Sequence, residues 1–164
     1  MFQRIQSLLL LITAAVHIVL FFLTLWTANI KLGDGTENTL KMTVCHYSTY
    51  SDADNSKLGS NGLFITAIIN LVLIAVTLFT VFLYKNRILQ SKMSRLIILF
   101  QTGLIVFLVF AYDNVKGAIE AASFTSEFNS LGISIPVVGI ILVFIANRSI
   151  LKDERKVRSV DRIR

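Results

Sequence analysis

Cysteine and proline are almost missing from this 164-residue chain, which has one of each, Cys45 and Pro136. A single cysteine excludes an intrachain disulfide and also the dithiol that a thiol-oxidising quinone enzyme needs. Histidine is nearly as scarce, with only His17 and His46, so a dihaem cytochrome with paired intramembrane histidines is excluded. Cys45 and His46 are adjacent, but one ligand of each kind is too few for a closed zinc site, and neighbours in a strand point to opposite faces. Charge is also sparse: 16% of residues are charged and 54% are hydrophobic. With a positive mean hydropathy, that balance is too apolar for a soluble globule of this size. Four runs, 8–26, 63–84, 96–112 and 131–146, contain no Asp, Glu, Lys or Arg. A small proton-coupled exporter would need a carboxylate inside one of them.

What is present are four segments near the length of a membrane span. A helix needs roughly 20 apolar residues to cross about 30 Å of hydrocarbon, and it must be a helix because its backbone polar groups have to be satisfied within the segment. The fourth run is the weakest, being short and carrying Gly132, Ser134, Pro136 and Gly139; proline is tolerated in a first helical turn. The first run is read as a retained helix, since it exceeds the roughly 7–15-residue core of a secretory signal and no small-x-small cleavage site follows it. Basic residues set the orientation, because positively charged flanks stay in the cytoplasm. Arg4, the 85–95 segment and the 148–164 tail hold twelve of the sixteen Lys and Arg residues; Lys31, Lys41, Lys57 and Lys116 lie opposite. Both termini are therefore expected in the cytoplasm.

Between the first two runs, Trp26, Ala28, Ile30 and Leu32 alternate with polar residues. Gly33-Asp34-Gly35 follows, and then Leu40, Met42 and Val44 alternate in the same way. That pattern predicts a β-hairpin with one apolar face capping the bundle. The Ser-rich stretch 48–60 reads as flexible loop. In the second external segment, Val115, Ile119 and Ala122 stand at helical spacing and suggest a short surface helix. Trp26, Tyr84 and Tyr112 stand at run ends, where aromatic rings anchor at headgroup level. Beyond Gly139 there is no Gly or Pro, so the fourth helix is expected to continue through the tail. At 100° per residue, Ile150, Glu154, Val157 and Asp161 share one face, with the basic residues spread over the rest. The acidic face is expected to fold against Arg4, Arg87 and Arg95.

Three stretches carry a resemblance: the opening MFQRIQ at 1–6, YKNRILQ at 84–90, and a tail with ANR at 146–148, KDE at 152–154, VRS at 157–159 and DR at 161–162. Together they resemble a Gram-negative bacterial membrane family known as domain of unknown function 4293. The resemblance runs along the chain in order, with the tail its most specific part and the outer loops matching little. It implies a four-helix inner-membrane protein of the Bacteroidota with no assigned activity. Phe2 stands where the family pattern suggests a smaller aliphatic residue.

These readings predict an all-α integral membrane protein, a four-transmembrane-helix bundle with a small external β-hairpin and a cytoplasmic extension of the fourth helix. It forms one domain over 1–164, with helices at about 8–26, 63–84, 96–112 and 131–147, external loops at 27–62 and 113–130, and a tail at 148–164. His17 is expected to be a neutral side chain bonded to a neighbouring helix. Asn70 and Gln101, with Thr13, Thr66, Thr77, Thr80 and Thr102, are expected to make interhelical hydrogen bonds. The candidate interaction surface is cytoplasmic: Gln3, Arg4, Gln6, Asn86, Arg87, Gln90, Asn147, Arg148, Asp153, Glu154, Arg158, Asp161 and Arg162. No catalytic residue, cofactor or metal is expected. The expected partners are the bilayer, anionic lipid headgroups at the basic tail, and a protein partner or further copies of the chain; nucleic acid is not among them, since no binding motif accompanies the charge. The expected role is a non-enzymatic scaffold or accessory subunit. The alternative is an oligomeric transporter or channel component lined by His17, Asn70 and Gln101, with a membrane enzyme third.

Overall fold

The fold splits an apolar run of uniform composition. Residues 8–26 carry no charge, yet helix α1 (Gln3–Leu20) stops at Leu20, and Trp26 opens a strand, β1 (Trp26–Lys31). The partner lies outside the run: the Leu25 amide donates to the Met42 carbonyl at 2.8 Å. Trp26 and Thr27 are aromatic and β-branched, types that fit a half-buried pleated surface. The computed structural model describes residues 3–31, 36–54, 56–118, 123–128 and 130–161, and all their side chains except those of 3, 4, 118, 123–128, 130–133, 158, 160 and 161.

Three further helices follow. These are α2 (Phe64–Phe82), closed by a 3-10 turn at Leu83–Lys85, α3 (Arg87–Ala118) and α4 (Ser130–Asp161). α1 packs mainly against α2 and α4, and α3 against the same two, so the helices form a square with α1 and α3 on one diagonal. Leu10, Leu20, Leu73, Ile97, Leu104 and Val143 are buried between them. The outward faces are apolar too: Phe64 is 75% exposed, Phe82 74% and Leu99 71%. Such a continuous apolar exterior is foreign to a protein in water and suits lipid. Phe64–Lys85, Arg87–Gly117 and Ser134–Val157 are long and apolar enough to cross a membrane, whereas the apolar part of α1, Ile5–Leu20, is shorter.

The expectation of an all-α fold is overturned. Besides β1, the segments between the helices form β2 (Glu37–Met42), β3 (His46–Ser51), β4 (Lys57–Gly62) and β5 (Ser123–Phe128). These make one antiparallel sheet in the order β4-β3-β2-β1-β5. The expected hairpin is its β1–β2 centre, with Trp26 opposite Met42 and Ala28 opposite Leu40; the Gly33-Asp34-Gly35 turn lies outside the described residues. β3 and β4 occupy the stretch read as flexible loop. They escape a hydrophobicity reading because β4 is exposed along its whole length and β3 is mostly Ser, Thr and Tyr. β5 follows the stretch where a short helix was expected: of the three residues that suggested it, Val115 belongs to α3, and Ile119 and Ala122 lie outside the described residues. The register of β5 sets Phe124 opposite Ile30 and Phe128 opposite Trp26.

That face sits on the end of α3. Trp26, Ala28, Ile30, Leu40 and Met42 are buried against Val115, Tyr112, Ala111 and Leu108. The Trp26 and Tyr112 rings meet edge to face, with centroids 4.2 Å apart. Trp26 is therefore a core residue, 3% exposed, and not a headgroup anchor. A second tie comes from the β2–β3 turn. Val44 is buried in the helix core with Leu20 and Leu25, and its carbonyl accepts from the Thr66 hydroxyl at 2.6 Å.

Candidate functional site

The interior of the bundle is polar at two levels. At the first, nearer the sheet, α1 contributes His17, α2 Asn70 and α3 Gln101, all fully buried. His17 Nδ1 lies 2.9 Å from Asn70 Oδ1, Asn70 Nδ2 donates to the His17 carbonyl at 3.1 Å, and Gln101 Nε2 stands 2.8 Å from His17 Nε2. One assignment satisfies all three contacts: a neutral imidazole with its proton on Nδ1, donating to Asn70 and accepting from Gln101. The fourth helix makes room with Gly139, where an added Cβ would lie 2.9 Å from Gln101 Nε2 and 3.2 Å from His17 Nε2. Gln101 Oε1 has no partner among the described residues. The threonines behave differently from expectation. Thr13, Thr77, Thr80 and Thr102 donate to carbonyls four residues earlier in their own helices, a local bond open to any helical Thr.

The second level is the end of the bundle away from the sheet, where the basic residues gather. Gln6 of α1 is buried, and its amide donates to Asp153 Oδ2 at 2.5 Å and to Ser149 Oγ at 3.5 Å on α4. Arg87 Nη1 of α3 donates to the Asp153 carbonyl at 3.3 Å, and Ser91 Oγ donates to Asn147 Oδ1 at 2.7 Å. Gln90 is buried and donates to the Thr80 carbonyl at 3.3 Å, tying α3 to α2. Asn86 caps α3, its Oδ1 accepting from the Leu89 amide at 3.1 Å, the usual way of satisfying an orphan first-turn N–H.

Of the expected surface, then, Gln6, Arg87, Asn147 and Asp153 are brought together across three helices, while Asn86 and Gln90 serve the fold. Glu154 is half-buried and faces a cleft with Arg87 and Arg95. Arg148 is exposed on α4, where it lines a shallow groove of about 470 Å³ with Lys152, Arg155, Lys156 and Ser159. The side chains of Gln3, Arg4, Arg158 and Asp161, and all of Arg162, lie outside the described residues. On the expected acidic face Ile150 is buried but Val157 is 42% exposed, because α4 has by then passed the end of the bundle. Sequence reasoning missed Ser91, Ser149 and Gly139. Ser94 stands one helical turn after both Gln90 and Ser91, so the three share one side of α3, a signal that was available.

On the sheet side, Cys45 sits in the β2–β3 turn and not in a strand. The turn is closed by Thr43, whose amide donates to the His46 carbonyl at 2.8 Å and whose Oγ1 accepts from the His46 amide at 3.1 Å. Burial pushes the Cys45 thiol up from its ordinary value, the opposite of an activated nucleophile. No group of three His, Cys, Asp or Glu among the described residues could hold a metal.

A family model described as Domain of unknown function (DUF4293) matches residues 2–163. The chain belongs to this family. A search of curated proteins finds no match to it. In this DUF4293 protein, the three stretches that carry the sequence resemblance meet at the basic end: Gln6 from the first, Arg87 from the second, and Asn147 and Asp153 from the third.

Proposed function

We propose that this DUF4293 protein is a non-enzymatic integral membrane scaffold or accessory subunit. It crosses the cytoplasmic membrane of a bacterium four times with both termini inside, and offers its basic end to a protein partner. The observation that carries this reading is the build of that end. Three helices are cross-tied by Gln6, Arg87, Ser91, Asn147 and Asp153, and α4 runs on from Asn147 to Asp161 without a break, roughly 21 Å of helix. An ordered basic projection of this kind is a surface for recognition. The buried, mutually bonded state of His17, Asn70 and Gln101 supports packing, not a pathway.

The short first helix is consistent with four spans. Gln3–Leu20 covers about 27 Å as helix, close to the roughly 30 Å of the hydrocarbon, and the Phe21 and Phe22 amides carry the turn on by donating to the Ile18 and Val19 carbonyls.

Reporter fusions after residues 90 and 164 should read as cytoplasmic, and fusions after 55 and 122 as external; a cytoplasmic reading at 122 sinks the topology. Photo-crosslinkers at Arg148 and Lys152 should then capture one discrete heterologous protein in native membranes. Capture of further copies of this chain alone would favour an oligomeric transporter or channel component.

A further inference from the structure

Between the first two turns of α3 and the projecting part of α4 lies a cleft of about 410 Å³. Helical spacing builds it: Arg87, Ile88 and Arg95 fall on one side of α3, and Leu151, Glu154 and Arg155 on one side of α4. Three guanidinium groups thus face one space. A single carboxylate, Glu154, offsets part of their charge, and the net balance is two positive. Ser91 also lines it, but its hydroxyl is already donated to Asn147, so the guanidiniums are the donors on offer. Arg87 uses one nitrogen on the Asp153 carbonyl and Arg155 uses Nε on the Leu151 carbonyl at 3.4 Å. Each keeps further N–H groups, since a guanidinium has five donors. Arg95 is exposed.

Two features select the ligand. Guanidinium forks match the oxygens of a phosphate, which they grip two at a time. The cleft is also amphipathic: Ile88 is 46% and Leu151 41% exposed, aliphatic surface of little use to a free inorganic ion. Its position agrees. Arg95 is the last charged residue before the uncharged 96–112 run, which sets it at the hydrocarbon boundary, and Arg87 lies about 12 Å further down the helix, through the headgroup layer.

We propose that the α3–α4 cleft is a binding site for an anionic phospholipid, with its phosphate held by Arg87, Arg95 and Arg155 and the carbons of its headgroup against Ile88 and Leu151. The inference rests on the membrane topology proposed above and adds to it a ligand. Bound there, the lipid bridges α3 and α4 and offsets part of the cleft's charge, leaving the Arg148–Lys156 groove as the basic surface for a protein partner.

Native mass spectrometry of the full chain released from detergent micelles tests the site, with phosphatidylglycerol and phosphatidylcholine as separate probes. The wild-type protein should retain one phosphatidylglycerol and no phosphatidylcholine. Arg87→Gln with Arg95→Gln should weaken retention by about 30-fold, as expected for two basic contacts of about tenfold or less each. Arg95→Gln alone, at an exposed position where folding is not at issue, should weaken it by about five-fold. Lys152→Gln with Lys156→Gln removes the same charge from the neighbouring groove and should change it by less than about two-fold. An equal loss in that control would show general attraction to the tail and overturn the site. So would displacement of the lipid by inorganic phosphate alone, which would make the free ion the ligand, or the absence of any lipid adduct, which would leave the cleft to an acidic protein segment. The assay uses purified protein without a partner, so it can fail while the crosslinking succeeds, and the reverse.

Discussion

The two ends of this molecule are closed by different forces. At the sheet end, β1 and β2 lay an apolar face on α3, with Trp26 against Tyr112 and Ile30, Leu40 and Met42 around Val115. At the basic end Ile150 is buried, but Gln6, Arg87, Ser91, Asn147 and Asp153 around it are joined by a few directional bonds. Burial is non-directional and scales with area, so the sheet end gains stability in proportion to what it covers. Hydrogen bonds exchange with water and each contributes little, but they set geometry. The sheet end is therefore built as a lid, and the basic end as an arrangement of donors in which guanidiniums remain available.

The comparison breaks most sharply at Trp26. Trp26→Ala empties the centre of the lid and should cost about 3–5 kcal/mol, the range for removing a large buried aromatic. Thermal unfolding in detergent should show it, with amide exchange accelerated in β1 and β2 while residues 84–95 keep their protection. Equal acceleration at both ends would mean that the two are not separate. The reverse experiment is milder. Gln6→Ala removes the link from α1 to Asp153 and should cost about 1.5–3 kcal/mol, as for a hydrogen bond to a charged group. Exchange should speed up along 148–157 while the sheet is unchanged.

The smallest expected effect lies on the surface of the lid. The Lys31 ammonium is paired with Glu37 across the β1–β2 register, and its hydrogen bond to that carboxylate, then the charge itself, raises its pKa from the ordinary lysine value. A raised folded-state value means the stabilisation is fully present below the ordinary lysine value and is lost as pH rises through the raised one. Melting curves of wild type and Lys31→Met should differ slightly at neutral pH and converge in strong alkali. Because the pair is exposed, added salt should shrink the difference.

Particular residues show how far sequence reading reaches. α2 was legible almost to the residue, expected at 63–84 and found at Phe64–Phe82 with its closing turn, because a long uncharged run between charged flanks has few other solutions. The β1–β2 hairpin was legible from strict alternation around a Gly-rich turn. β3 and β4 were not, since strands whose exposed faces are Ser, Thr, Asn and Gly carry no hydrophobic period to read. β5 was hidden for another reason: its partner is β1, almost a hundred residues earlier, and no local pattern encodes such a pairing. At the basic end, Gln6, Arg87, Asn147 and Asp153 were singled out from short motifs. That Asp153, and not only the Glu154 face, would be tied to the other helices needed the actual rotation of α4 against α1.

By itself the sequence determined where the apolar runs lie and that twelve of sixteen basic residues fall in three segments, Arg4, 85–95 and 148–164, because transfer free energy and charge are summed along short contiguous segments. Only the tertiary structure decided where α1 stops, that the segments between the helices form one sheet, and that His17, Asn70, Gln101 and Gly139 meet at a point. Each of those depends on groups far apart in the chain satisfying one another: the Leu25 amide on the Met42 carbonyl, β1 on β5, and an imidazole whose two ring nitrogens are matched by two other helices. Hydrogen bonds of this kind are directional and non-local, and they are settled when the helices pack.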